Sequence, residues 1–377
     1  MIEVADILRE HFSHFLACYN IPYEQYKAVN ALINCRTAAL GTHVDTCDSC
    51  GHESQSYNSC RNRHCPKCQQ SQTNKWLLKR QESLLDVPYF HTVFTVPNTL
   101  YPFMLANQAF AYNLLFKAAS ETLLEVAASN KFLGAKIGFT TVLHTWGQNL
   151  AYHPHLHCIV MGGGLDSTGT QFVQSRKDYF LPVKVLSKIF RGKFIFHLKK
   201  SLENPLITFV CPDTSVPPAD YFPKLIKSLY KHDWVVYAKP TFDHPQAVLK
   251  YLSHYTHRIA ISNTRIISLK AGMVTFYYKD YKDKSKRKTM TLTAVEFIRR
   301  FLMHILPMSF VKIRHYGLLC NRSGKENLKR CRKLLGISES LYRLLVNDKV
   351  TSLYHCPSCK KGHMHFSRTL PKTSMRC

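Results

Sequence analysis

Tyr152-His153-Pro154-His155-Leu156-His157-Cys158-Ile159-Val160 is the stretch on which the fold turns. Its polar and apolar residues alternate and then run into an apolar close, which predicts a strand. In a strand, residues i and i+2 point to the same face. His155 and His157 then present two imidazoles side by side, with Leu156 and Cys158 on the other face. Two co-facial imidazoles are half of a divalent-metal site. A third donor is needed if one position is to stay open for a substrate phosphate. Gln148 is the expected one: it ends the preceding strand, and a hairpin through residues 149–154 brings its carbonyl oxygen alongside.

Around this stretch, residues 136–148 and 155–161 read as consecutive strands, the second stopped by Gly162-Gly163-Gly164. Tyr89-Phe90-His91-Thr92-Val93-Phe94-Thr95-Val96 is a strand by its β-branched and aromatic content, stopped by Pro97. Residues 102–128 are helical, 181–202 a basic amphipathic helix or helix–strand mixture, and 234–238 a strand. Asp243 and Pro245 suit the start of a helix over 245–259. Residues 273–278 and 289–292 form a hairpin around a charged loop, and 294–306 a helix. Two short helices precede all of this within 1–40, and 75–86 looks helical. The order predicts an α+β fold, a largely antiparallel sheet with helices on one face.

The chain has 377 residues, with 51 Lys+Arg against 24 Asp+Glu, a net charge of +27. Such an excess repels itself in a compact state and signals a polyanionic partner, nucleic acid before an acidic membrane surface. Hydrophobic content of 45% excludes wholesale disorder. No apolar run approaches a membrane span. The opening Met1-Ile2-Glu3-Val4-Ala5-Asp6 lacks the apolar core of a secretory leader. The expected setting is the cytoplasm.

With no leader, the 14 cysteines argue for metal over disulfides. Cys47-Asp48-Ser49-Cys50 and Cys65-Pro66-Lys67-Cys68 are two Cys-x-x-Cys turns in a segment too poor in aliphatics to have its own core. Each turn offers two thiolates, and together they predict a closed, structural Zn2+ site. Cys60 and His64 could replace a ligand or join a second ion. Cys356-Pro357-Ser358-Cys359 is a further half-site, with His355, His363, His365 or Cys377 to complete it. Cys18, Cys158, Cys211, Cys320 and Cys331 read as ordinary buried thiols.

On the helix over 245–259, Tyr251 and Tyr255 lie at i and i+4 on one face, and Arg258 shares it. A phenol, with a pKa of about 10, is a poor nucleophile at neutral pH unless its phosphate target is polarised. Basic clusters follow the same logic of polyanion binding: Lys184, Lys188, Arg191, Lys193, Lys199 and Lys200; Lys282, Lys284, Lys286, Arg287 and Lys288; Lys329, Arg330, Arg332 and Lys333. Tyr277, Tyr278 and Tyr281 are placed to stack on bases.

His155-Leu156-His157, with Tyr251-x-x-x-Tyr255 downstream, resembles the HUH superfamily of single-strand DNA endonucleases. The likeness is closer to the two-tyrosine rolling-circle transposases of bacterial insertion sequences. Those carry a zinc module ending like Ser59-Cys60-Arg61-Asn62-Arg63-His64-Cys65-Pro66-Lys67-Cys68-Gln69, and stretches like Tyr251–Arg265 and Ile313-Arg314-His315-Tyr316-Gly317-Leu318-Leu319. The resemblance spans residues 10 to 360. It implies a helical lead and zinc-binding domain at 1–75, an HUH palm at 76–310 and a basic C-terminal region at 311–377. It also implies Mg2+ or Mn2+ on His155, His157 and a third ligand, for which His254 and His257 rival Gln148. Single-stranded DNA, from transposon ends and target, is the implied partner. One tyrosine would form a 5′-phosphotyrosine link and the other would carry a second cleavage, within the nucleoid of a bacterium. Two rival readings stand beside this: a non-catalytic zinc-containing DNA-binding protein, and a histidine-triad nucleotide hydrolase built on His153, His155 and His157.

Overall fold

The computed structural model describes residues 1–69, 76, 80, 83–201, 204, 206–208, 218–240, 259–281, 283–337 and 355–371. Tyr251, Tyr255 and Arg258 lie outside the described residues, with the helix expected around them, His254 and His257. So do Lys282, Cys211 and Cys377.

The elements run α1 Val4–Cys18, α2 Tyr23–Ile33, β1 Thr42–Cys47, β2 Glu53–Tyr57, β3 Tyr89–Thr95, α3 Tyr101–Ala106, α4 Gln108–Ala128, β4 Lys136–Trp146, β5 Tyr152–Leu165 and β6 Phe172–Gln174. They continue with α5 Val183–Lys200, α6 Pro218–Lys231, β7 Val236–Pro240, β8 Ile266–Lys270, β9 Met273–Asp280, β10 Lys286–Thr293, α7 Ala294–Leu302, β11 Ile313–Gly317, α8 Gly324–Leu334 and β12 Met364–Leu370. Every described strand pair is antiparallel, so the fold is α+β as expected.

Two compact units share the chain, and neither is a continuous stretch. Met1–Thr73, Ile259–Ile305 and Leu344–Cys377 make the first; Asn74–Arg258 and Leu306–Arg343 make the second. The expected continuous segment 76–310 is therefore interrupted, and 311–377 is divided between the units. Packing is the reason. The apolar stripe Val4, Ile7, Leu8, Phe12 and Phe15 of α1 is buried and packs with α7. The Val4 N–H donates to Asn263 Oδ1 at 3.1 Å, and Gln25 Nε2 to the Leu302 carbonyl at 3.1 Å. The first unit holds two three-stranded sheets, β12-β1-β2 and β10-β9-β8.

The second unit is built on the sheet β11-β4-β5-β3-β7, with β6 added beside β5. One face is covered by α4 and α5. Phe190 of α5 meets Phe94 edge-on at 5.0 Å, and Arg314 lies 4.0 Å over the ring of Phe116 in α4. α5 is helical throughout, because Leu186, Phe190, Phe194 and Leu198 form one buried stripe. On the opposite face, one end is closed by Leu85, Val87, Tyr89, Ile159, Met161, Leu318, Leu328 and Cys331. The histidines sit further along that same face.

β5 does not stop at Gly162 but runs through the glycines to Leu165. They are there for close approach: a Cβ on Gly164 would lie 2.1 Å from the Lys136 carbonyl oxygen. Among the described residues, no helix is long and apolar enough to cross a membrane.

Candidate functional site

β5 carries His155 and His157 onto the face opposite α4 and α5, and its neighbours add two more imidazoles. The register sets His144 of β4 directly opposite His155. Donor nitrogens of His144, His155 and His157 all lie within 4.8 Å of one another. His155 Nε2 and His157 Nε2 are 3.0 Å apart. The Nδ1–H of His155 donates to the His153 carbonyl at 2.6 Å, which leaves a bare lone pair on Nε2. His157 Nδ1 lies 2.8 Å from His91 Nε2 on β3. When His157 donates in that pair, its own Nε2 is also bare. In that tautomer two lone pairs face each other and a cation between them removes their repulsion; in the other, His157 Nε2–H donates to His155 Nε2. Bonds of about 2.1 Å from one ion place neighbouring corners of an octahedron at about 3.0 Å, so the spacing fits a divalent ion.

Burial keeps the rings of His155 and His91 neutral. It pulls His155 and His91 down to about 4, and lowers His153 as well. Neutral imidazoles are what a metal needs as ligands. Trp146 stacks on His144 at 4.6 Å and 19°, which fixes the ring. The Tyr101 hydroxyl holds His153 Nδ1 at 2.7 Å. Gln148 lies in the turn between β4 and β5, closed by the Gly147 N–H donating to the Ala151 carbonyl at 2.9 Å. The in-register neighbour of His155 is thus His144, four residues before Gln148. Residue spacing found the hairpin but not its register. Only the pairing of β4 with β5, which the sequence does not fix, sets His144 opposite His155.

The cysteines form two groups, and neither is the expected one. Cys35, Cys60, Cys65 and Cys68 make the first; Cys47, Cys50, Cys356 and Cys359 make the second. Cys47 and Cys50 are therefore not co-ligands of Cys65 and Cys68. The first group has Sγ–Sγ distances of 3.6 Å for Cys35–Cys68, 3.7 Å for Cys60–Cys68 and 3.5 Å for Cys65–Cys35. Cys35 follows α2 and belongs to no Cys-x-x-Cys pair, so spacing alone passes over it. His64 stands outside both groups; its backbone N–H binds Asn62 Oδ1 at 2.9 Å. Of the scattered thiols, Cys158 and Cys331 are buried as expected, while Cys18 is exposed.

The basic hairpin divides by strand face. Lys288 points inward to Asp280 at 2.9 Å and Asp283 at 3.0 Å, which hold its ammonium well above the ordinary lysine range. Lys286 pairs with Asp283 at 3.4 Å. Lys284 is exposed in the turn, at φ 46°. Arg287 lies 3.5 Å over the Tyr277 ring on the outer face. On α5, Lys193 pairs with Glu125 at 2.7 Å and Arg191 with Asp233 at 3.5 Å. Part of the track on α5 and part of that on the hairpin are neutralised within the protein.

Residues 138–327, which hold the histidines of β4 and β5, match a family model described as "Putative transposase". Residues 7–96 match one described as "Transposase zinc-binding domain". That second match contains Cys35, Cys60, Cys65 and Cys68, an all-sulfur set suited to structural Zn2+, and stops far short of Cys356 and Cys359. The chain is similar to "Putative transposase y4qJ" of Sinorhizobium fredii (strain NBRC 101917 / NGR234), 44% identical over 373 residues, 96% of this chain and 94% of that protein. It is also similar to "Transposase for insertion sequence element IS801" of Pseudomonas savastanoi pv. phaseolicola, 28% identical over 314 residues, 79% of this chain and 71% of that protein. No solved structure matches it. With one family model over half its length and a 44% identical relative over nearly all of it, the chain belongs to the insertion-sequence transposases that carry an N-terminal zinc-binding domain.

Proposed function

We propose that this transposase nicks and rejoins single-stranded DNA through a tyrosine, with a divalent ion held on the face of its large sheet that carries His155 and His157. The observation that carries the reading is the convergence of His144, His155 and His157, in a chain whose sequence also holds Tyr251-x-x-x-Tyr255. A bound Mg2+ or Mn2+ would draw charge from the scissile phosphate and stabilise the crowded phosphorus. His155 and His157 offer Nε2, each oriented through its Nδ1. His144 or Gln148 supplies the third donor. One phenol oxygen, of Tyr251 or Tyr255, bonds to phosphorus as the bond to the 3′-oxygen breaks. The phenol loses its proton and the departing oxygen gains one, leaving a 5′-phosphotyrosine link and a free 3′-OH. The link stores the ester energy, so no nucleotide is consumed. Arg258 favours the phenolate, and the second tyrosine takes a second strand before the first is released. Such work belongs with cellular DNA, in a bacterial nucleoid.

Incubated with Mn2+ and a single-stranded oligonucleotide from its element's ends, the protein is expected to form an SDS-stable covalent adduct. The Tyr251→Phe/Tyr255→Phe double variant should form none. An adduct that survives in that variant would sink the tyrosine assignment, and one mapped to His155 would favour nucleotide-hydrolase chemistry. Tight DNA binding with no adduct in any condition would leave a DNA-binding module.

A further inference from the structure

We infer that Cys47, Cys50, Cys356 and Cys359 hold a second structural zinc ion, which clasps residues 355–371 onto β1 and gives the chain two zinc ions. The distances exclude the alternatives. Cys47 and Cys359 are 3.8 Å apart at sulfur, and Cys50 and Cys356 3.7 Å. A disulfide needs about 2.0 Å. Four sulfurs about 2.3 Å from one zinc ion, at the corners of a tetrahedron, are about 3.8 Å apart. Cys50 is exposed and Cys359 half-buried, so burial of thiols as small hydrophobes does not explain the grouping.

The two contributing turns are built alike although they are far apart in sequence. In each, the residue after the second cysteine is left-handed: Gly51 at φ 71° and Lys360 at φ 58°. A lysine pays a steric cost there, so its turn is imposed by what it surrounds. Gly51 N–H donates to the Cys47 carbonyl at 3.1 Å, and Lys360 N–H to the Cys356 carbonyl at 2.9 Å. Each turn also aims a backbone N–H at sulfur, Ser49 to Cys47 at 3.4 Å and Gly362 to Cys359 at 3.3 Å. Asp48 ties one turn to the other, accepting from the His363 N–H at 2.8 Å.

β12 supplies the need. It pairs with β1 from Thr42↔Leu370 to Cys47↔Met364, yet none of its residues is buried and Phe366 is 65% exposed. A strand with no core of its own depends on something else to hold it, and metal binding is folding free energy for such a segment. Four thiolates with no open position suit structural zinc and not Mg2+.

Elemental analysis of the full chain should give two zinc ions, and 113Cd substitution two resonances in the all-sulfur range. Cys356→Ser/Cys359→Ser should retain one zinc ion and one resonance, and limited proteolysis should then release the segment 355–371. One ion in the unaltered chain, iron in place of zinc, or a double variant that still holds two ions would overturn the inference. The metal count is read without DNA, so its outcome is independent of the proposed cleavage chemistry.

Discussion

His144 is the residue whose role most sharply divides the two possible ligand sets. It is 4% exposed, faces His155 across the strand pair and is braced by Trp146. Gln148, in the turn, is the competitor. His144→Ala is expected to weaken Mn2+ binding by at least the roughly 10–100-fold that follows loss of a ligand's supporting partner; Gln148→Ala should leave it within a few-fold. A Mn2+ titration followed by electron paramagnetic resonance reads both, and the opposite ranking would return the third position to Gln148. His155 and His157 were legible because the two-residue period of a strand fixes shared faces before folding. His144 and His91 were not, because they become neighbours only through register, which turn geometry and burial decide.

Among the elements, β5 and α5 use glycine in opposite ways. Gly164 sits where β5 passes the backbone of β4, and a methyl group there would meet Lys136. Gly192 lies within α5 with open space around its Cβ position. Gly164→Ala should therefore destabilise the protein by about 1–3 kcal/mol or more, while Gly192→Ala should stabilise it by about 0.5–1 kcal/mol through helix propensity. Thermal unfolding of both variants checks this, and a loss of stability at Gly192 would contradict the open space. Long or strongly patterned elements, such as β3, α4 and the β9–β10 hairpin, were legible from periodicity. β1, β2 and β12 were not: they are short and polar, and at most two residues of any of them are buried. β8 was missed as well, since its Ile266-Ile267-Ser268-Leu269-Lys270 does not alternate cleanly and it meets β9 through an irregular register.

For the whole molecule, sequence distance proved a poor guide to assembly. Cys47 is close to Cys65 in the chain but shares a group with Cys356, and residues 259–305 fold with the first 73. The same lesson applies to the +27 charge, because a sum over the sequence counts cations that the fold has already paired. Lys288 is held between two aspartates and Lys286 contacts one of them, whereas Arg287 and Tyr277 stand together on the outer face of their sheet. An arginine stacked on a ring can meet phosphate with its N–H groups while the ring meets a base. Single-strand binding by the full chain should weaken steeply with salt, and each lost phosphate contact should flatten the log–log slope by about 0.7. Arg287→Ala is expected to produce that flattening, and Lys288→Ala almost none, since its ammonium is spent on Asp280 and Asp283. Fluorescence anisotropy with a labelled oligonucleotide across a salt series measures both slopes. Equal flattening by the two variants would mean that the hairpin binds DNA as an undivided basic loop, and that the pairing within it is given up when the strand arrives.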